Sequence, residues 1–377
     1  MLRASACFLL FASSVSLARQ DADPEFDGKK ASEWVKSLNA DSSARQRSIA
    51  VVALGKLWTE HRYKDSISMI GRALRLDTSV AVRTQCAVAL GNLKVEDAKY
   101  AASDLVESLK VEKEARVRKE VVVAMGRYPN VAKLAVVPLT GTLKDADASI
   151  RAAVATTLAA TGEDAKAAAP DLVKMLDDAD KAARQAAVFA VGRISPTDSA
   201  TAAAALVKLL GEEKDAELRR DCMVSLGLLG ERTQNVVTAL AAWLGDADAE
   251  TRSTAARTLN RFGAAAGSAA PALLKLAKED KEKALRLDGV RGYCSALGPA
   301  LKSNTANLLP VLKDDPEFEV RLAVVEELAA LGNDLKDDRA VLEALQQRRS
   351  DPQVKVREAA AAAIRRITQK PMPPKKP

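Results

Sequence analysis

The side chains able to do covalent or metal chemistry are few and far apart. The whole chain holds one histidine, His61, expected in an inserted loop with Trp58 and Tyr63 between the first two repeats, and a lone imidazole cannot build a histidine-rich metal centre. The cysteines, Cys7, Cys86, Cys222 and Cys294, show no Cys-x-x-Cys spacing. The last three fall on apolar helix faces, where a free thiol behaves as a small hydrophobe. There is no glycine-rich phosphate loop and no nucleophile motif with a nearby base. Acids and serines abound, but at a regular interval rather than as a converging group. The expectation is no catalytic residue, no metal and no cofactor.

The regular interval shows what must position these side chains. Arg47, Arg83, Arg118, Arg151, Arg184, Arg219, Arg252, Arg286, Arg321 and Arg357 follow one another at spacings of 33 to 36 residues. Six residues before each stands an acid: Asp41, Asp77, Glu112, Asp145, Asp178, Glu213, Asp246, Asp280, Asp315 and Asp351. With 50 acids among 377 residues, that coincidence marks a repeat. Four residues before each arginine is a residue suited to a helix's first turn, such as Ser43, Ser79, Asp147 or Asp248. Asp315-Pro316 and Asp351-Pro352 read as an N-cap followed by proline at the first helical position. Seven residues after the arginine comes Leu54, Leu90, Met125, Leu158, Val191, Leu226, Leu259, Tyr293, Leu328 or Ile364, part of one apolar helical face. The segments before the acids carry their own stripes, as in Leu206, Val207, Leu209 and Leu210. Each repeat is therefore two amphipathic helices that bury their faces against each other and against neighbouring pairs. Gly55, Gly91, Gly126, Gly162, Gly192, Gly230, Gly263 and Gly332 are expected to close second helices. Pro138, Pro170, Pro271 and Pro310 are expected to cap or bend first helices.

Helix pairs of this period, with proline in the first helix, aspartate at the inter-helix turn and Val-Arg opening the second, resemble HEAT repeats. Val82-Arg83, Val117-Arg118, Val320-Arg321 and Val356-Arg357 carry the dipeptide, while Gln46, Ala183 and Thr251 depart from it. The resemblance covers roughly residues 33–367. The Ala-rich form, as in Arg184 to Gly192, is most similar to the short HEAT-like repeats of phycobilisome lyases and of bacterial exported HEAT-repeat proteins. It implies an all-α fold, an α-solenoid (superhelix) of about ten HEAT-like helix pairs. It also implies that the acid and arginine rows form a structural ladder between successive turns, and that the second helices line a concave face. An opening such as Phe26-Asp27-Gly28-Lys29 followed by Trp34 is similar to those of bacterial exported relatives.

Positions two, five and nine after each arginine fall opposite the apolar stripe at 100° per residue. Offset nine holds Lys56, Arg127, Arg193, Arg261 and Arg366, with no acid in that row. These five are the candidate partner-binding residues, a basic track for a protein or an acidic polymer; ordinary solvated surface charge is the alternative. A net charge of +7 with only 3% aromatics argues against a nucleic-acid channel, which needs a denser cationic groove and stacking rings.

Residues 1–18 read as a secretory signal peptide, with Arg3 before an apolar run and small residues Ser16 and Ala18 at the cleavage point. No later segment reaches membrane-spanning length. Residues 19–32 form a polar N-terminal segment, 33–367 the repeats, and 368–377 a Pro- and Lys-rich mobile tail. The leading expectation is an exported, non-catalytic bacterial scaffold of the periplasm, cell envelope or exterior. The rivals are a lyase resembling the phycobilin lyases and a structural envelope protein.

Overall fold

The computed structural model describes residues 23–39 and 42–369. The signal-peptide segment, Asp41 and residues 370–377 lie outside them. The chain divides after Ala190 into two compact units.

In the first unit a short hairpin, Glu25–Phe26 paired with Lys29–Lys30, precedes the repeats. Its turn residues Asp27 and Gly28 have φ of 50° and 72°, the left-handed region that an Asp-Gly turn supplies. Trp34 is buried beneath it and donates its indole N–H to the Phe26 carbonyl at 2.9 Å, with the Lys29 ammonium 4.6 Å above the ring. First helices Ala31–Asn39, Asp65–Leu76 and Ala102–Val111 alternate with second helices Ala44–His61, Val80–Gly91 and Ala115–Gly126. The fourth first helix breaks at Ala135 into Pro129–Leu134 and Val136–Thr142 before Ala148–Thr161. The helix Lys181–Arg193 runs across the division.

In the second unit the second helices are Ala216–Leu229, Ala249–Phe262, Lys283–Leu297, Phe318–Leu331 and Val354–Thr368. They are preceded by Ser199–Glu212, Gln234–Ala241, Ala270–Glu279, Leu309–Asp314 and Arg339–Arg348. The offset-seven row is the core: Leu54, Leu90, Met125, Leu158, Val191, Leu226, Leu259, Tyr293 and Leu328 are buried, and only Ile364 of the last second helix is half-buried.

The acid row sits two residues before each N-cap rather than on it. Asp77, Asp145, Asp246, Asp280, Asp315 and Asp351 each accept the backbone N–H two residues on, at 2.8–3.0 Å. This corrects the reading of Pro316 and Pro352 as first helical residues. The caps are Glu317 and Gln353, and the prolines stand in the turn before them.

The arginines run forward along each unit. Nε of Arg47, Arg83, Arg118 and Arg151 reaches the acid of the next turn, Asp77, Glu112, Asp145 and Asp178, at 2.6–2.7 Å. In the second unit Arg252, Arg286 and Arg321 do the same to Asp280, Asp315 and Asp351 at 2.7–2.9 Å. NH2 completes a fork on the same carboxylate, and NH1 turns back to carbonyls of the arginine's own turn, such as Asp77 for Arg83 at 2.8 Å. One guanidinium thus ties two consecutive turns, the bidentate geometry that only arginine provides.

Four of the expected glycines, Gly162, Gly230, Gly263 and Gly332, end second helices with positive φ, and Gly298 does the same after Lys283–Leu297. The other four differ. Gly91 and Gly126 are the last residues of their helices but lack the left-handed backbone, Gly55 lies inside Ala44–His61 and Gly192 inside Lys181–Arg193, and Gly91, Gly126 and Gly192 are places of close approach. A β-carbon on Gly91 would sit 2.9 Å from that of Ala124, and one on Gly126 would sit 2.8 Å from the Thr157 hydroxyl.

The ladder gives stability a definite pH dependence. Burial alone would raise the Asp77, Asp145 and Asp351 carboxyls, but their arginine partners and backbone N–H donors hold them below the model-compound value of 3.8. The Arg151 fork, the largest influence on Asp178, likewise lowers it. Groups lowered on folding stabilise fully above their unfolded pKa and lose that contribution as pH falls through the folded value. Thermal midpoints should therefore hold steady down to about pH 5 and fall progressively below about pH 4. A midpoint unchanged to pH 2.5 would contradict the ladder's role.

Candidate functional site

The second helices bury the arginine-plus-seven face and leave offsets five and nine half-buried or exposed, while offset two is mixed, with Ile49 exposed and Ala323 buried. In the first unit Ile49 and Val52 are each 46% exposed, one turn before exposed Lys56. Arg127 is exposed too, but its NH1 donates to the Gly91 carbonyl at 3.1 Å and to the Asn92 side chain, so it also caps the preceding second helix. Phe189, at offset five of the helix crossing the division, is 47% exposed.

In the second unit Val224 and Leu228 lie one helical turn apart, 44% and 47% exposed. On the next helix the Arg261 guanidinium lies beside Gly227, 3.8 Å from where a β-carbon would stand. Arg193, Arg257, Arg291 and Arg366 are exposed as well. Arg257 approaches Asp288 at 3.4 Å, and Asp288 also accepts from Ser253 at 3.0 Å. In each unit the outward side of the second helices is thus both apolar and basic, and in the second Asp288 adds an acid. Sequence reasoning found the basic row but missed Ile49, Val52 and Val224. Offsets two and five carried the signal.

Groups with chemical potential are placed elsewhere. Cys86, Cys222 and Cys294 are free and buried; burial raises all three thiols, Cys222 to about 12. Among the described residues no group of three His, Cys, Asp or Glu side chains is placed to hold a metal ion. His61 is not in an inserted loop but is the last residue of the extended Ala44–His61 helix, exposed. The polar centre nearby is Asp97, buried and accepting from the Trp58 indole at 2.9 Å and from Arg62. No described helix is long and apolar enough to cross a membrane.

Residues 136–227 and 203–292 match the HEAT repeats family. The protein is a HEAT-repeat solenoid. An engineered protein shares the fold at 19% identity and a TM-score of 0.57, over 90% of this chain and 99% of that one. Importin beta shares it at 12% identity and a TM-score of 0.52, over 89% of this chain and 52% of that one. So does Kap95p, from a structure of its binding to RanGDP, at 12% identity and a TM-score of 0.52. The chain spans about half the length of Kap95p, 50% of it being covered. No curated protein matches in sequence.

Proposed function

We propose that this HEAT-repeat protein is an exported, non-catalytic scaffold that docks another protein on the free face of its second helices. The observation carrying the reading is the pairing of large exposed apolar residues with cations on that face: Ile49 and Val52 with Lys56, and Val224 and Leu228 with Arg261. An acidic polymer would use the cations alone, whereas a protein interface buries apolar anchors within a charged rim. That Kap95p binds RanGDP supports a protein partner for this fold. Export rests on the sequence of residues 1–18, and the chemistry of the thiols, buried with raised pKa values, supports binding over lyase activity.

The test is capture from envelope extract by the full mature chain, followed by titration of the captured protein. Val224→Asp, Leu228→Asp and Arg261→Glu together change only outward side chains and should leave the helical signal intact. They are expected to weaken binding by at least tenfold, and wild-type binding should fall as salt rises. Unchanged affinity in the triple variant would overturn the reading.

A further inference from the structure

The ladder is broken at one place in the second unit, and the break leaves an acid without its cation. Arg219 keeps its backward bonds, with NH1 donating to the Glu213 and Lys214 carbonyls at 3.3 and 2.8 Å. Its forward fork is missing. The guanidinium packs instead against the Trp243 ring, 4.8 Å from the centroid, and its Nε is buried with no acceptor. Asp246, the acid this fork would reach, accepts the Asp248 N–H at 2.8 Å and forms no ion pair among the described residues. Trp243 stands nine residues before Arg252, where other repeats have Leu74, Leu109, Leu210 and Leu312. An indole in a leucine's place holds the guanidinium by cation–π attraction, and the carboxylate is left over.

Asp246 lines a groove of about 680 Å³ between the helices Ser199–Glu212 and Gln234–Ala241. Val207, Leu210, Ala239 and Ala242 form its apolar walls, Trp243 closes one side, and Asp246 is the ionisable group among its lining residues. Arg219, stacked on the indole, does not line it. Across the turn, the Arg252 NH1 holds the Asp246 backbone carbonyl at 2.8 Å while its fork is committed to Asp280. A second groove lies on that far side, where Asp246 is joined by Arg252, Lys275, Glu279, Asp280 and Lys281.

We propose that this groove binds an arginine side chain of a partner protein, the guanidinium forking onto Asp246 and stacking on Trp243 with its aliphatic stem along Val207 and Leu210. The fold supplies the precedent. Asp77, Asp145, Asp178, Asp280, Asp315 and Asp351, at the same place in their repeats, each take a guanidinium fork. An arginine fits better than a lysine because its planar fork matches both carboxylate oxygens and stacks on an aromatic face, whereas an ammonium is a compact, strongly hydrated point charge.

The probe is a blocked tripeptide, acetyl-Gly-Arg-Gly-amide, with lysine and norleucine versions, titrated into the full mature chain. The readout is the Trp243 indole N–H resonance, assigned by its loss in Trp243→Leu. The arginine peptide should give a saturable shift, the lysine peptide a several-fold weaker one and the norleucine peptide none. Asp246→Asn keeps an oxygen for the Asp248 N–H and so retains the turn, and it should weaken arginine binding at least tenfold. Equal shifts from arginine and norleucine, or an Asp246→Asn variant that binds as well as wild type, would overturn the proposal. The Val224, Leu228 and Arg261 substitutions lie outside this groove and should leave the peptide titration unchanged, so the two proposals fail separately.

Discussion

Arg286→Ala should cost this protein about 3–5 kcal/mol, because it removes one partner of a buried, forked ion pair and leaves the other charge behind. Arg286 donates to Asp315 through Nε and NH2 at 2.7 and 3.1 Å, and the two side chains are only 10% and 4% exposed. Its NH1 also holds the Asp280 carbonyl at 3.0 Å, so the substitution releases two turns at once. The Asp315 carboxylate has no second salt bridge among the described residues, Arg321 reaching only its backbone carbonyl, unlike Asp351, which Arg348 also approaches at 3.4 Å. Denaturant midpoints with an unchanged m-value would measure the loss. Arg261→Ala, on the free face, should stay within about 0.5 kcal/mol. Equal midpoints for the two variants would contradict the assignment of faces.

Gly289→Ala should be nearly as damaging for a different reason. Gly289 lies where the helices Ala270–Glu279 and Lys283–Leu297 of one pair touch, and an added β-carbon would stand 2.5 Å from the Ala277 nitrogen and 2.9 Å from the Leu273 carbonyl oxygen. Those are backbone atoms and cannot swing aside, so the helices must part. The cost belongs at or above the top of the ~1–3 kcal/mol range for overpacking, against a helix-propensity gain of about 0.5–1 kcal/mol. Gly55→Ala is the matched control: it lies inside a helix with nothing within 4 Å of the added carbon. That substitution should raise stability by about 0.5–1 kcal/mol. Opposite signs in the two midpoints are expected; a stabilised Gly289→Ala would mean the pair is packed differently.

The repeat was legible because its determinants are local and recur. Offset-seven residues had to be core, and the rows of acids and arginines had to meet. What the rows do not encode is direction. Each arginine has an acid six residues before it and another in the next turn, and only the geometry decides between them. The preceding acid spends one oxygen on the second helix's N-cap N–H, as Asp77 does on Ser79, and offers the arginine its backbone carbonyl instead. Arg184 accordingly reaches back to the Asp178 carbonyl at 2.9 Å while the Asp178 carboxylate belongs to Arg151. Removing Arg184 would not orphan that carboxylate.

Glycines misled for a related reason. Gly162 and Gly91 stand at comparable places near helix ends, yet one has a φ of 66° and the other admits Ala124 from the next helix. A sequence shows a missing side chain, not which of the two needs removed it. The broken rung at Arg219 was invisible in the rows because both charged residues are present. Only Trp243, in a leucine's place, signals it.

The free face is the claim on which the functional account stands, and photo-crosslinking reads it directly. A photoreactive amino acid at Val52 or Leu228, outward on the second helices, is compared in the native host with one at Leu76 or Val137, on first helices and 66% and 82% exposed. The account predicts a discrete protein adduct from Val52 and Leu228, lost when Arg261→Glu and Val224→Asp are introduced alongside the Leu228 probe, and none from Leu76 or Val137. Adducts from Leu76 and Val137 alone would contradict it.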